Sequence, residues 1–404
     1  MSIQSQATEY ELSGLLDIRL TNTTSSVSYL KGGYGKFRYS DGTKFSLAQL
    51  ALDFKVDWEN NLSYHLVTIG YRNGSADDEN NGFGITESYF KYRSFPDNNG
   101  LRYQARMGFM YPKISLENVA TGWSSPYTLS YSTMNSWLGE EVRHLGLEAG
   151  ITKLGKFSGS NHDFSLSAVL FTANDPNGAM LAWHGWTQSS RQSFWNEKLD
   201  FPQIPVLDDG EALEVQARRS DPFKELDSLS GYQITGQWDW RGKVKLLAGY
   251  YDNRTATDVV EDGQYTWMTQ FSHLSVKWQL EDNFTLLFQH MSGDTRMRVV
   301  NNFDVVALNF SNSFLLLTKK WHKFRFSTRI ERFETDDLDG LVGDNNDEDG
   351  KGVTLSLAYE FSKQLFFHLE YNYLDSIRPS RYYYAYLDKD SQEKQLQLAA
   401  RYYF

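Results

Sequence analysis

The sequence predicts an all-β chain: one transmembrane antiparallel up-and-down β-barrel over residues 1–404, of about sixteen strands, with 14 and 18 as the neighbouring counts. Three observations predict it. The 404 residues are 40% hydrophobic and 15% aromatic, with 11 Trp, 25 Tyr and 26 Phe, yet the mean hydropathy is −0.53. Aromatics at this level exclude a disordered chain. Apolar runs stay short, such as Phe314 to Leu317, far below the roughly 20 residues of a spanning helix. Second, apolar residues recur at every other position through most of the chain, the period of a strand with one greasy and one wet face. Third, the connections between such segments alternate between short and long, as they do when strands run up and down through a membrane.

The segments follow in order. In 10–22 and 45–58, one parity carries charge (Asp17 and Arg19; Asp53, Lys55 and Asp57), and Trp58 ends the other. Segments 62–73 and 83–95 alternate less cleanly: the first has apolar residues on both parities, and the second sets Tyr89 beside Phe90, although Glu87, Lys91 and Arg93 mark a polar face. Segment 101–112 opposes Arg102 and Arg106 to Tyr103 and Tyr111. Segments 142–154 and 162–174 follow, the former with Glu148 in mid-strand. In 231–241, Asp239 lies between Trp238 and Trp240; 243–254 brings Lys245, and 264–280 sets Lys277 beside Trp278. Then come 283–294, 303–320 and 322–334, the last carrying Arg325, Arg329 and Glu331. The final three are the clearest. Val353, Leu355, Leu357, Tyr359 and Phe361 alternate with Thr354, Ser356, Ala358 and Glu360 in 352–362. Leu365, Phe367, Leu369, Tyr371 and Tyr373 alternate with His368, Glu370 and Asn372 in 365–377. Leu396, Leu398, Ala400, Tyr402 and Phe404 alternate with Gln395, Gln397 and Arg401 in 392–404.

Connections after even-numbered strands are tight, as at Arg241–Lys243, Glu281–Asn283 and Trp321–Lys323; Gly155 to His162 is the moderate exception. Those after odd-numbered strands are mostly long: about 23–44, 74–82, 113–141, 175–230, 255–263, 295–302, 335–351 and 378–391. All 8 Pro lie in connections or at a strand end, where the missing ladder donor costs nothing. A soluble sandwich would also alternate. Aromatics gathered near the strand ends and charges in mid-strand favour a lipid-facing wall around a watery lumen. No propeller repeat of about 40–50 residues is present.

The net charge of −11 excludes nucleic acid as a partner. With 0 Cys, disulfides and thiolate metal sites are excluded. The N-terminus, Met1 to Glu9, has neither a charged n-region nor an apolar h-region. Residues 1–9 read as a short tail on the side of the tight turns, and the sequence as a mature form without its leader.

The chain closes on Arg401-Tyr-Tyr-Phe404, a strand with an aromatic last residue and Tyr402 two positions before it. This resembles the C-terminal signature of Gram-negative outer-membrane proteins. The architecture of the whole chain resembles the general and phosphate-selective porins of sixteen strands. The resemblance implies the cell outer membrane, a removed signal peptide, and insertion by the barrel-assembly machinery through Tyr402 and Phe404. It also implies lipid and lipopolysaccharide around the wall, a homotrimer, periplasmic tight turns and extracellular long loops.

A barrel of this size has room for a channel. The expected function is passive diffusion of small hydrophilic solutes through a lumen of mixed charge, lined by Lys55, Arg102, Arg106, Glu148, Lys277, Arg325, Arg329, Glu370 and Arg401. Arg102, Arg106, Arg325 and Arg329 form the best basic cluster if their strands face one another; mixed signs elsewhere argue against a strong anion filter. In porins the third outer loop makes the constriction, which here is 113–141, with Trp123, Tyr127, Tyr131 and Trp137. Aromatics with hydroxyls suit neutral or carbohydrate-like solutes. The plainer reading is that they pack the loops onto the wall, as do those of the long loop 175–230. In the acidic stretch, Asp344, Asp347 and Asp349 could hold a divalent cation, but the Gly register misses the EF-hand and a solvated loop is the simpler reading. No cofactor is expected. None of the 8 His stands beside a nucleophile motif, so no enzyme is expected. The alternative to diffusion is an export conduit or a scaffold for a partner protein or polysaccharide.

Overall fold

The structure, a computed structural model, describes residues 8–72, 82–299, 303–341 and 343–404. The acidic triplet Asp77 to Glu79 and most of the N-terminal tail lie outside them. The barrel strands are β1 (Thr8–Thr24), β2 (Gly42–Trp58), β3 (Leu62–Arg72), β4 (Phe83–Arg93), β5 (Leu101–Met110), β6 (His144–Lys153), β7 (His162–Thr172) and β8 (Gly231–Trp240). They continue as β9 (Val244–Asp252), β10 (Met268–Gln279), β11 (Phe284–Val299), β12 (Phe303–Trp321), β13 (Phe324–Asp337), β14 (Glu348–Glu360), β15 (Leu365–Ile377) and β16 (Asp390–Tyr403). Every neighbour pair is antiparallel and the ring is closed. All sixteen predicted segments are strands. No helix is long and apolar enough to cross a membrane.

The tight turns explain why successive strands pair. Asn61, Gly242 and His322 take positive φ of 65°, 75° and 52°, which reverses the chain within a few residues. Closure is made by β1 and β16, in register from Leu15↔Tyr403 to Thr24↔Lys394. Gly14 and Phe404 extend the seam, each amide donating to the other's carbonyl at 2.9 and 3.2 Å. A Cβ on Gly14 would lie 2.2 Å from the Phe404 ring, so the missing side chain makes room for the C-terminal aromatic.

Some boundaries move for physical reasons. Segment 264–280 begins as a strand only at Met268, because Gln264–Tyr265 pair with Val260–Glu261 in a separate two-stranded ribbon. Strand β14 starts at Glu348 rather than 352, because Glu348 and Gly350 pair with Thr335 and Phe333 of an equally extended β13. Tyr111, expected on the lipid face, instead stacks on Trp123 inside, with ring centroids 4.2 Å apart.

One parity of each strand faces outward. On β15 and β16 it carries Phe367, Leu369, Tyr371, Leu396, Leu398 and Tyr402, all exposed. Aromatic contacts link neighbouring strands at the tight-turn end: Trp321 with Phe324 at 6.4 Å and Phe324 with Tyr359 at 5.1 Å. Arg placed on an outward mid-wall position must enter hydrocarbon. Leu355→Arg is therefore expected to destabilise the barrel by about 2–4 kcal/mol in lipid vesicles. Leu338→Arg, in the outer loop, should change stability by less than about 0.5 kcal/mol. Denaturant titration of refolded protein checks both.

Candidate functional site

The inward parity is polar on β13 to β16 and β1, and largely apolar at the long-loop ends of β7 to β13. Two connections, 113–141 and 173–230, enter the barrel and pack against these two kinds of wall, and a third, 25–41, joins them with Tyr29, Leu30 and Phe37 buried in the same interior. The first contains helix α1 (Thr133–Glu140) and the second α2 (Ala179–His184).

On the polar side, carboxylates and guanidinia hold backbone groups of the 113–141 segment. Asp17 and Arg401 are direct cross-strand partners, and Arg401 Nε lies 2.7 Å from Asp17. Asp17 also pairs with Arg19 at 2.6 Å. Arg401 then donates to the carbonyls of Ser125 and Thr128, at 3.0 and 3.3 Å. Glu370 accepts the amides of Leu129 and Ser130 and the Ser130 hydroxyl, at 2.5, 2.8 and 2.6 Å. Arg329, fully buried, is paired with Glu117 at 2.6 Å and Glu331 at 2.9 Å, and donates to the carbonyls of Ser130 and Tyr131. The N-terminus of α1, where free amides favour negative charge, meets the same carboxylates. Ser132 caps it, and the Thr133 amide donates to Glu331 at 2.7 Å.

On the other side the contact is apolar. Trp137 of α1 makes edge contacts with Trp186, Phe271 and Phe310. Trp183 of α2 packs on Trp267 and Phe201. These rings belong to one buried cluster with Phe171, Tyr251, Met291 and Phe333 of the wall. Glu141 joins the two helices: it accepts Trp137 Nε1 at 2.8 Å and the amides of Gly178 and Met180. The C-terminal carbonyls of α2 receive Arg378 at Ala182 (2.7 Å) and Lys36 at His184 (3.1 Å). Both cations are paired with buried Glu348.

The inserted loops close the lumen across its upper part. Gln49, Met110, His144, Phe171, Phe271, Arg329 and Gln397 point inward from seven strands around the ring, and none is more than 3% exposed. Beneath this layer, on the tight-turn side, two vestibules remain. One, of about 270 Å³, is lined by Arg93, Arg102, Gln104, Lys113, Asp163 and Asp239 among others. The other, of about 600 Å³, lies against β12 to β16.

The sequence-derived residues fall as follows. Lys55 pairs with Asp57 at 2.6 Å near the tight turns. Arg106 and Lys113 both hold Glu148, at 2.5 Å each. Lys277 and Arg325 lie over the Tyr127 ring, at 5.7 and 5.6 Å. Arg102 and Arg106 on β5 stand eight strands from Arg325 and Arg329 on β13, so the two pairs are on opposite walls with the inserted loops between them. Tyr127, Tyr131 and Trp137 are at most 5% exposed, and Trp123 is sandwiched by Tyr111 and Tyr131. Asp344 accepts Asn346 Nδ2, Asp347 accepts the Asp337 amide and Asp349 pairs with Arg332. Among the described residues, the carboxylates with metal-ligand spacing are Asp175, Glu225 and Asp227. All three already accept backbone amides, of Leu226, Ala173 and Ala256. Sequence reasoning passed over Glu117, Glu140, Glu141, Lys36 and Arg378. Charged residues in long connections read as solvated until the fold buries them.

No protein-family model matches the chain, and no curated protein is similar to it in sequence. Solved structures are similar in fold. The outer membrane channel DcaP of Acinetobacter baumannii gives a TM-score of 0.58 at 11% identity, over 98% of this chain and 97% of that one. An anion-selective porin from Comamonas acidovorans gives 0.53 at 11%, over 98% and 100%. The trimer form of OmpT, an outer membrane protein of Vibrio cholerae, also gives 0.53 at 11%, over 98% and 100%. The shared feature is the fold, a closed antiparallel β-barrel.

Two outcomes follow from the buried charges. Removing Arg329 leaves Glu117 and Glu331 buried without their counter-charge, so Arg329→Gln should cost about 3–5 kcal/mol in thermal or denaturant unfolding. The second concerns Glu140, which faces Tyr29, Thr187, His184, Glu141 and Arg191. Burial pushes its carboxyl up to about 8. Burial also pushes His184 down to about 3, so its approach at 3.7 Å is not an ion pair. A raised carboxyl favours the packed state at low pH, and that contribution is lost as pH climbs from the ordinary carboxylate range through about 8. The loops should therefore loosen progressively as pH rises towards about 8 and change no further above it, read as faster proteolysis of the 173–230 segment, and Glu140→Gln should abolish the rise.

Proposed function

We propose that the protein is an outer-membrane, porin-like channel for small hydrophilic solutes, inserted by the barrel-assembly machinery and surrounded by lipid and lipopolysaccharide. The observation that carries this reading is the two-sided seating of the inserted loops. On β7 to β13 they are anchored by a continuous apolar cluster. On β13 to β16 and β1 they are held by hydrogen bonds and ion pairs to Arg329, Glu370 and Arg401. Water can replace such bonds at a net cost of about 0.5–1.5 kcal/mol each. Separating the apolar faces costs about 25 cal/mol per Å². The route for solute is therefore the polar seam between the 113–141 segment and the β13 to β16 wall, opened by displacing that segment while the apolar side stays packed.

Of the charged groups expected in the lumen, Arg329, Glu370 and Arg401 lie on this route and Arg102, Arg325 and Arg401 line the vestibules, while Lys55, Arg106, Glu148 and Lys277 stand elsewhere on the inner wall. Their mixed signs support transport without strong charge discrimination. Trp123, Tyr127, Tyr131 and Trp137 are engaged in packing, so we assign the constriction to the segment's backbone and hydroxyls and place no sugar preference on its rings. The trimer form of one fold neighbour supports a homotrimer. No enzymatic role is assigned: His144, His184, His273 and His368 are buried inside the barrel, away from any nucleophile motif.

Planar-bilayer recordings test the channel. Ion conductance with a reversal potential near zero in a salt gradient is expected, and a barrel that never conducts would overturn the reading. The native chain has no cysteine, so single cysteines report water access directly. In the membrane-inserted protein, Ser130→Cys on the polar seam should react with a charged maleimide at least about tenfold faster than Met180→Cys in the apolar cluster. Equal rates would remove the seam as the route.

A further inference from the structure

The larger vestibule has a chemistry that the inserted loops do not use. It lies between the β12 to β16 wall and the underside of the 113–141 segment, where Thr121 and Pro126 form its roof. Its volume of about 600 Å³ is that of a small-molecule site. Lys320, Lys323, Arg325 and Lys363 face it with a single carboxylate, Glu360, which is tied to Lys320 at 3.0 Å. Arg401 also lines it, but Asp17 neutralises that charge from behind. The chain as a whole carries −11, so this local excess of positive charge runs against its average. Arg325 has no carboxylate partner among the described residues; only the Tyr127 ring covers it.

The walls are not simply basic. Phe366 and Tyr403, in edge contact at 5.7 Å, both line the cavity. Beside them His368, 7% exposed, also lines the cavity.

We infer that this vestibule binds a small aromatic carboxylate. The carboxylate pairs with the cationic face made by Lys323, Lys363 and Arg325, and the ring lies against Phe366 and Tyr403 beside His368. Inorganic phosphate would leave the aromatic surface uncovered. A neutral aromatic would leave the cations unpaired. The inference deepens the channel reading and rests on it only for the ligand's route to the site.

The test is calorimetric titration of the intact barrel in detergent with 2-naphthoate, using 2-naphthalenemethanol and inorganic phosphate as controls. Saturable binding of 2-naphthoate is expected, at least about tenfold tighter than either control. The double variant Lys323→Glu/Lys363→Glu should weaken it by at least about tenfold. If that variant does not fold, raising salt from about 50 to about 500 mM on the native protein reads the same charge dependence as a fall in affinity. Absence of saturable binding, equal affinity for the neutral analogue, or indifference to both the double variant and salt would overturn the site. Conductance of the same preparation separates the two readings. Conduction without binding removes the site and leaves the channel, whereas binding without conduction does the reverse.

Discussion

The structure depends on one constraint. In hydrocarbon, every backbone N–H and C=O must be paired within the protein. A sheet satisfies this only by closing, so the pairing of β1 with β16 is the condition for the rest. It explains the Gly14 gap that admits Phe404, the tight turns that keep successive strands adjacent, and the even strand count. It also creates a difficulty. A ring of sixteen strands encloses more space than its inward side chains can fill, and here the space is taken by connections of the chain itself, chiefly 113–141 and 173–230 with 25–41 packed on them.

How those connections are held follows from the inward parity. Where it is apolar, Trp137 of α1 and Trp186, just past α2, lie against it. Where it is polar, Arg329, Glu370 and Arg401 take up backbone amides and carbonyls that burial would otherwise leave unpaired. Helix termini fit the same rule: carboxylates meet the start of α1, and Lys36 and Arg378 meet the end of α2. The two vestibules lie below this layer because the loops enter from the opposite end.

Most of the wall was legible in the sequence. Alternation is a local property, and Leu396 to Phe404 shows its greasy face without reference to any other strand. Even the weak segments 62–73 and 83–95 could be placed, because they filled gaps in a short-long rhythm of connections. The interior was less legible. Ser125, Thr128 and Ser130 look like solvated loop residues, and nothing local shows that Arg401, 276 positions from Ser125, will bind them. One clue was present. Phe171, Tyr251, Phe271, Met291, Phe310 and Phe333 stand on the parity that should face water. Apolar residues on the wet face mean that something dry covers them, and the long connections, 113–141 and 173–230 above all, were the candidates.

The contacts of the inserted loops have a kinetic consequence. The carbonyls of Ser125 and Thr128 are bound by Arg401, a residue of the last strand, and Arg401 is itself held by Asp17 of the first. The seat of the 113–141 segment is therefore incomplete until the two ends of the chain have met. Packing of the interior must follow ring closure as a late event of high contact order, and a barrel halted just short of closure would have its strands in place while its tryptophans remained wet.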